Sequence, residues 1–130
     1  MADLLSSLNS IQQQAATHTD GPVLILAGAG SGKTRVLTYR TVYMMTQKII
    51  PGNNILMVTF TNKAAGEMKQ RVKNLLENSL TTTQLPFMGT FHSLCVRILR
   101  IDGYNIGLSP NFTIFDSDDQ KGLISKILKS

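Results

Sequence analysis

Three short apolar runs, each followed by a stretch of helical periodicity, constrain this chain more than any other feature. Val23–Ala27 is apolar at every position, as in a parallel strand covered on both faces. Ile55–Val58 is a second such run and Phe87-Met88 a shorter third. Behind the first, Val36, Leu37, Tyr43 and Met44 recur at seven-residue spacing, which predicts a helix from about Lys33 to Gln47. Behind the second, Ala65, Met68, Val72, Leu75 and Leu76 share one helical stripe, leaving Lys69 and Lys73 toward water. Behind the third, Phe91, Leu94, Cys95, Ile98 and Leu99 trace the same pattern. Strand then helix, three times over, predicts an α/β fold: a parallel sheet with flanking helices and right-handed crossovers. A short helix around Ser10 to Thr17 precedes it. At the other end, Ser117 and Gln120 read as a capping box in front of Leu123, Ile124, Ile127 and Leu128. That last helix reaches Ser130 with no Gly or Pro to stop it, so the chain is expected to be a piece of a longer one.

The length of 130 residues suits about one domain, and 42% hydrophobic residues suffice for one core. Met44, Met45, Met57, Met68 and Met88 fall in the strand and helix patterns as core filler. The longest fully apolar stretch is Val23–Ala27, whereas a bilayer crossing needs about twenty residues. Met1-Ala2-Asp3 offers no basic region ahead of an apolar one, so no signal peptide is read. The single Cys95, on an apolar stripe, excludes an intrachain disulfide and a cysteine zinc cage. A cytoplasmic location is the expectation. Charge is unevenly spread. Residues 1–32 carry two acids and no base, residues 33–101 carry ten bases and two acids, and residues 102–130 carry three bases and four acids. The middle segment, at +8, suits an anionic partner or an ordinary solvated surface.

Ala27-Gly28-Ala29-Gly30-Ser31-Gly32-Lys33-Thr34 joins the first apolar run to its helix. Backbone N–H groups can curl around phosphate oxygens only where no Cβ intrudes, and a helix N-terminus favours negative charge. In such a loop Lys33 reaches the β- and γ-phosphates and the Thr34 hydroxyl holds Mg²⁺. Ala27 stands where the strict eight-residue pattern has Gly, which an end-of-strand position tolerates. A flexible glycine turn is the alternative. The loop alone names no reaction, since many nucleotide enzymes carry one.

Four segments read together are more specific. Leu8-Asn9-Ser10-Ile11-Gln12 precedes the first run, and Ala27 to Thr34 with Arg35 follows it. Val58-Thr59-Phe60-Thr61-Asn62-Lys63-Ala64-Ala65 ends the second, and Gly89-Thr90-Phe91-His92 ends the third. In that order and spacing they resemble the Q motif, motif I, motif Ia and the following DNA-contact motif of UvrD/Rep/PcrA-type superfamily 1 DNA helicases. Phe112 to Gln120 also resembles the segment entering that family's helical insertion. The resemblance implies a RecA-like P-loop NTPase fold, here a partial domain, with 1–108 the first part of the motor domain and 109–130 the start of the insertion. It implies ATP and Mg²⁺ as cofactors, single-stranded DNA and the remainder of the helicase chain as partners, no membrane association, and 3′ to 5′ movement. Gln12 would read adenine, residues Ala27 to Arg35 would hold the nucleotide, and Thr59, Phe60, Thr61, Asn62, Lys63, Thr90, Phe91 and His92 would meet DNA.

The same residues have readings that need no family. Gln12 offers a donor and an acceptor, which suits an adenine edge or plain solvent. Thr59, Thr61 and Asn62 lie at a strand-to-helix handover, and Thr61 or Asn62 suits an N-cap. Phe60, flanked by polar residues, suits base stacking, and core packing is the alternative. His92 suits a phosphate contact or a helix cap. No Asp-Glu pair occurs in the chain, so the carboxylates that an ATPase sets on Mg²⁺ and on the attacking water are missing. Asp116 follows an apolar run, but Ser117 stands where the Glu belongs. An inactive amino-terminal piece of an ATP-dependent helicase is therefore expected. The rivals are a small P-loop phosphotransferase and a noncatalytic nucleotide-binding module.

Overall fold

The computed structural model describes residues 4–77 and 84–129. Met1 to Asp3 and Ser130, which entered the reading of the two chain ends, lie outside the described residues. Five α-helices appear among the described residues: α1 Ser10–Thr17, α2 Lys33–Thr46, α3 Asn62–Leu76, α4 Phe91–Asp102 and α5 Ser117–Lys129. The two strands are β1 Leu56–Thr59 and β2 Phe87–Thr90. They pair in parallel, Leu56 opposite Phe87 through Thr59 opposite Thr90, with α3 as the crossover. The fold is mixed α/β with a small parallel sheet, made of two compact units, Met1–Phe91 and His92–Ser130.

The first unit is built around α2. Val42 and Met45 on that helix meet Ile55 and Met57 around β1 and Met68, Val72 and Leu76 on α3, all buried. A second, smaller core joins Leu8, Ala16 and Val36, with Ile25 and Tyr39 packed against it. Four of the five α3 positions expected to face inward are buried, and Leu75 packs half-buried beside them. The α2 stripe differs from the expected one. Val36, Thr38, Thr41, Val42 and Met45 are buried while Leu37 stays exposed. The threonines explain the rotation: Thr38 Oγ1 donates to the Arg35 carbonyl at 2.8 Å and Thr41 Oγ1 to that of Leu37 at 2.9 Å. With the hydroxyl satisfied on its own helix, the methyl packs like an aliphatic group.

Val23–Ala27 is not a strand. A ladder needs a second backbone about 4.8 Å away, and β1 and β2 pair with each other. No described residue forms a ladder with Val23–Ala27, so only Ile25 turns into a core while Leu24 and Leu26 are 83% and 86% exposed. Two of the three expected strands are therefore present.

In the second unit, α4 has the expected amphipathic spacing but no buried residue, and Cys95 is an exposed thiol. The capping box of α5 lies one residue before the expected position. Asp116 accepts from the N–H groups of Asp118 and Asp119, both at 2.9 Å, and Asp119 accepts from the Asp116 N–H at 3.2 Å. A carboxylate outcompetes the Ser117 hydroxyl because its charge also meets the positive end of the helix dipole. Asp116 is thereby spoken for as a cap. The N–H of Asp119, then that of Asp118, holds its carboxyl below the ordinary value.

Two outcomes follow from this packing. Met68→Ala is expected to destabilise the first unit by about 2–5 kcal/mol, read as a lower urea midpoint, because a buried side chain leaves a cavity. A folded pKa below the unfolded one means that Asp116 stabilises α5 above pH ~4 and that this is lost as pH falls through the lowered value. Far-UV circular dichroism should show helicity falling on that descent, with a smaller fall in Asp116→Asn.

Candidate phosphate loop and nucleic-acid interface

The glycine-rich loop enters α2 through Gly32, whose φ of 87° is left-handed and which contributes no side-chain cap. Gly30, at φ 76°, makes a second left-handed step. With no side-chain oxygen at the cap, the N–H groups of the first turn are left for an external acceptor. The loop closes on itself through Ser31, whose N–H and hydroxyl both reach the Gly28 carbonyl, at 3.3 and 2.7 Å. Lys33 folds its ammonium inward onto the carbonyls of Ala27 and Gly28, at 3.0 and 2.7 Å. This gathers positive charge and helix-terminal donors at one turn. Thr34 lies half-buried in the same first turn. Ala29 is exposed on the loop.

Helix α1 sits beside this loop, and its sequence fixes how. Asn9 accepts from the Gln12 N–H at 2.9 Å while Gln12 Oε1 accepts from the Asn9 N–H at 3.2 Å, a reciprocal capping box. The same Gln12 amide donates through Nε2 to the Ser31 carbonyl at 3.1 Å. Three α2 residues hold this layer in place. Arg35 donates to the Ser7 carbonyl at 2.8 Å, Tyr39 accepts from the Ser7 hydroxyl at 2.9 Å, and Arg40 donates to the carbonyls of Ala15 and His18. The Arg35 guanidinium also lies 5.6 Å from the Tyr39 ring centre. Arg35, expected among the nucleotide ligands, is thus engaged with the segment ahead of α1. The Arg40 contacts span 22 and 25 residues and have no local sequence signal, whereas Asn9 and Gln12, three apart, carry the capping-box pattern.

Parallel pairing sets the carboxyl ends of β1 and β2 side by side, Thr59 opposite Thr90. Thr59 Oγ1 donates to the Thr61 carbonyl at 3.0 Å, and Thr61 caps α3 by accepting from the Ala64 N–H at 3.2 Å. Of the two cap candidates in the sequence it is Thr61 that acts, while Asn62 and Lys63 are exposed in the first turn. Phe60 is 91% exposed, so it is not a core residue. Its ring centre lies 5.6 Å from that of Phe91, tilted by 47°. Two aromatic faces left in water above a sheet edge form a surface on which flat rings can stack. Thr90 is buried and His92 exposed.

The glycine loop at the uncapped start of α2 and the polar and aromatic groups at the carboxyl ends of β1 and β2 are thus two candidate sites, one for phosphate and one for flat rings. Comparison with known proteins shows the family. Residues 8–130 match the UvrD/REP helicase N-terminal domain family. Over all 130 residues the chain is 53% identical to the ATP-dependent DNA helicase PcrA of Staphylococcus epidermidis and 51% identical to that of Staphylococcus aureus. It spans 17% of the length of each of these relatives. The chain belongs to the UvrD/REP helicase family and corresponds to its N-terminal domain.

The loop geometry separates two glycines. A Cβ on Gly32 would meet Gln12 Nε2 at 3.1 Å in a left-handed conformation, whereas one on Gly28 would enter open space. Gly32→Ala is expected to destabilise the first unit by about 1–2 kcal/mol, the left-handed cost of an L residue. Gly28→Ala should leave the urea midpoint nearly unchanged.

Proposed function

We propose that this chain is the ATP-binding amino-terminal portion of an ATP-dependent DNA helicase that moves 3′ to 5′ on single-stranded DNA and unwinds duplex. The observation that carries the reading is the self-closed glycine loop at the uncapped start of α2, with Lys33 held on its carbonyls. On this reading residues Ala27 to Arg35 form the nucleotide site, within a RecA-like P-loop domain that residues 1–108 begin and residues 109–130 leave for a helical insertion. The first-turn N–H groups of α2 would bind phosphate oxygens, and Lys33 would exchange two carbonyls for the β- and γ-phosphates. Gln12 would use its remaining amide capacity on the adenine edge. The partners proposed are ATP, single-stranded DNA and the remainder of the helicase chain, in the cytoplasm. No described helix is long and apolar enough to cross a membrane.

Mg²⁺ fits this donor set as an ion carried in on the nucleotide. Among the described residues no three His, Cys, Asp or Glu side chains cluster to hold a metal, while the Thr34 hydroxyl supplies one hard oxygen of the kind Mg²⁺ takes alongside phosphates and water. Bound there, the ion would neutralise phosphate charge. The chain has no Asp-Glu pair to complete hydrolysis, so it is proposed to bind nucleotide without turning it over.

Mg-ADP at a hundredfold excess over its Kd should stabilise the chain by about 2.7 kcal/mol, read as a rise in Tm. Lys33→Ala should remove that rise, and wild type should show no steady-state ATP turnover. Turnover near the enzyme median of about 10 per second would point to a complete phosphotransferase instead.

Single-stranded DNA would pass over Thr59 to Lys63 and Thr90 to His92, supported by the exposed Phe60 and Phe91 pair and the basic middle of the chain. Affinity should fall with salt at about −0.7 per phosphate contact in a log–log plot. Phe60→Ala should weaken binding by about 1–3 kcal/mol at every salt concentration, and Lys63→Ala should flatten the slope by about one contact. Salt-independent binding would return these loops to ordinary surface.

A further inference from the structure

The contact between α1 and the phosphate loop does more than hold two elements together. The peptide that joins Ser31 to Gly32 is trans, so its carbonyl and its N–H point in opposite directions. Gln12 Nε2 holds the carbonyl end at 3.1 Å. The Gly32 N–H is thereby fixed on the opposite side. A peptide preceding a glycine is the kind most easily rotated, because glycine accepts φ of either sign, and Gly32 sits at φ 87°. Left alone, this plane could turn over and present an oxygen in place of a hydrogen, converting a phosphate donor into a repelling acceptor. Gln12 is well suited to prevent that. Its carbonyl end is anchored in the capping box with Asn9, so the amide cannot swing freely. Its helix is in turn fastened to α2 by Arg40. A Cβ added at Gly32 would lie 3.1 Å from the same Nε2, so a side chain there would crowd the amide that glycine leaves in place.

We propose that Gln12 is a positioning residue for the phosphate loop: through the Ser31 carbonyl it locks the Ser31–Gly32 peptide plane in the phosphate-accepting orientation, whatever base the nucleotide carries. The claim rests on the phosphate-loop reading above and deepens it. It assigns to Gln12 a role toward the phosphates, separate from any role toward adenine.

The test uses the whole chain and two ligands, Mg-pyrophosphate and Mg-ADP, with Gln12→Met as the neutral variant of similar length and Asn9→Ala as the control. Asn9→Ala removes the cap of α1 but keeps the donor to Ser31. Gln12→Met is expected to weaken pyrophosphate by about two- to tenfold, the range of one net hydrogen bond, and ADP by at least as much. Asn9→Ala should leave pyrophosphate affinity unchanged. Loss of ADP affinity with pyrophosphate untouched would overturn the proposal, and so would an equal pyrophosphate loss in Asn9→Ala. A ligand-free measurement separates this from the site assignment itself. Nitrogen-15 relaxation dispersion should report new exchange at the Ser31 and Gly32 amides in Gln12→Met. Gln12→Glu, which keeps an acceptor for the Asn9 N–H and lacks the donor, should show the same exchange. Quiet amides in both variants refute the positioning role, and failure of wild type to take pyrophosphate while those amides respond refutes the phosphate-site reading alone.

Discussion

Everything in the first unit depends on α2 being unable to turn about its own axis. One side carries Val42 and Met45 into the core shared with β1 and α3, and Val36 enters the smaller core with α1. Each buried aliphatic side chain contributes about 1.5–3 kcal/mol, so a rotation that exposed either face would cost several times thermal energy. Because Gly32 begins this helix, its dipole and first-turn donors have a fixed direction before any ligand arrives. An anion arriving at this turn would find the helix already ordered.

The capping of the helices ties local chemistry to the same end. α1 and α3 are capped by their own side chains, Asn9 and Thr61, which satisfies donors that would otherwise attract anions. α5 goes further and places a carboxylate there. α2 alone begins with a glycine that offers no cap bond among these four. The exception falls where a phosphate would be wanted, and the rule holds where it would not.

Much of this was legible in the residues. The extent of α2 follows from periodicity and its start from the glycine cluster, and the α3 stripe follows from Ala65, Met68, Val72 and Leu76, since a strongly amphipathic helix over an apolar strand has one way to face. The glycine-rich turn and the polar strand ends carry recognisable sequence signals too. Other features were hidden for definite reasons. Thr38 and Thr41 look polar in composition, and only their bonds back to the helix make them core residues. Val23–Ala27 has the composition of a covered strand, but composition says nothing about whether a partner backbone lies alongside. The Arg40 and Gln12 contacts join residues 19 to 25 positions apart, which no local pattern encodes. Phe60 reads in the sequence as either a stacking surface or a core residue, and its 91% exposure excludes the core.

The segment from Val23 to Ala27 has a consequence for the chain in solution. Leu24 and Leu26 stand in water on a segment that pairs with no described strand, and exposed apolar groups of this kind favour association. Two molecules meeting there can bury leucines against each other. The chain's net charge of +5 opposes that encounter at low ionic strength, and added salt weakens the opposition while leaving the apolar attraction in place.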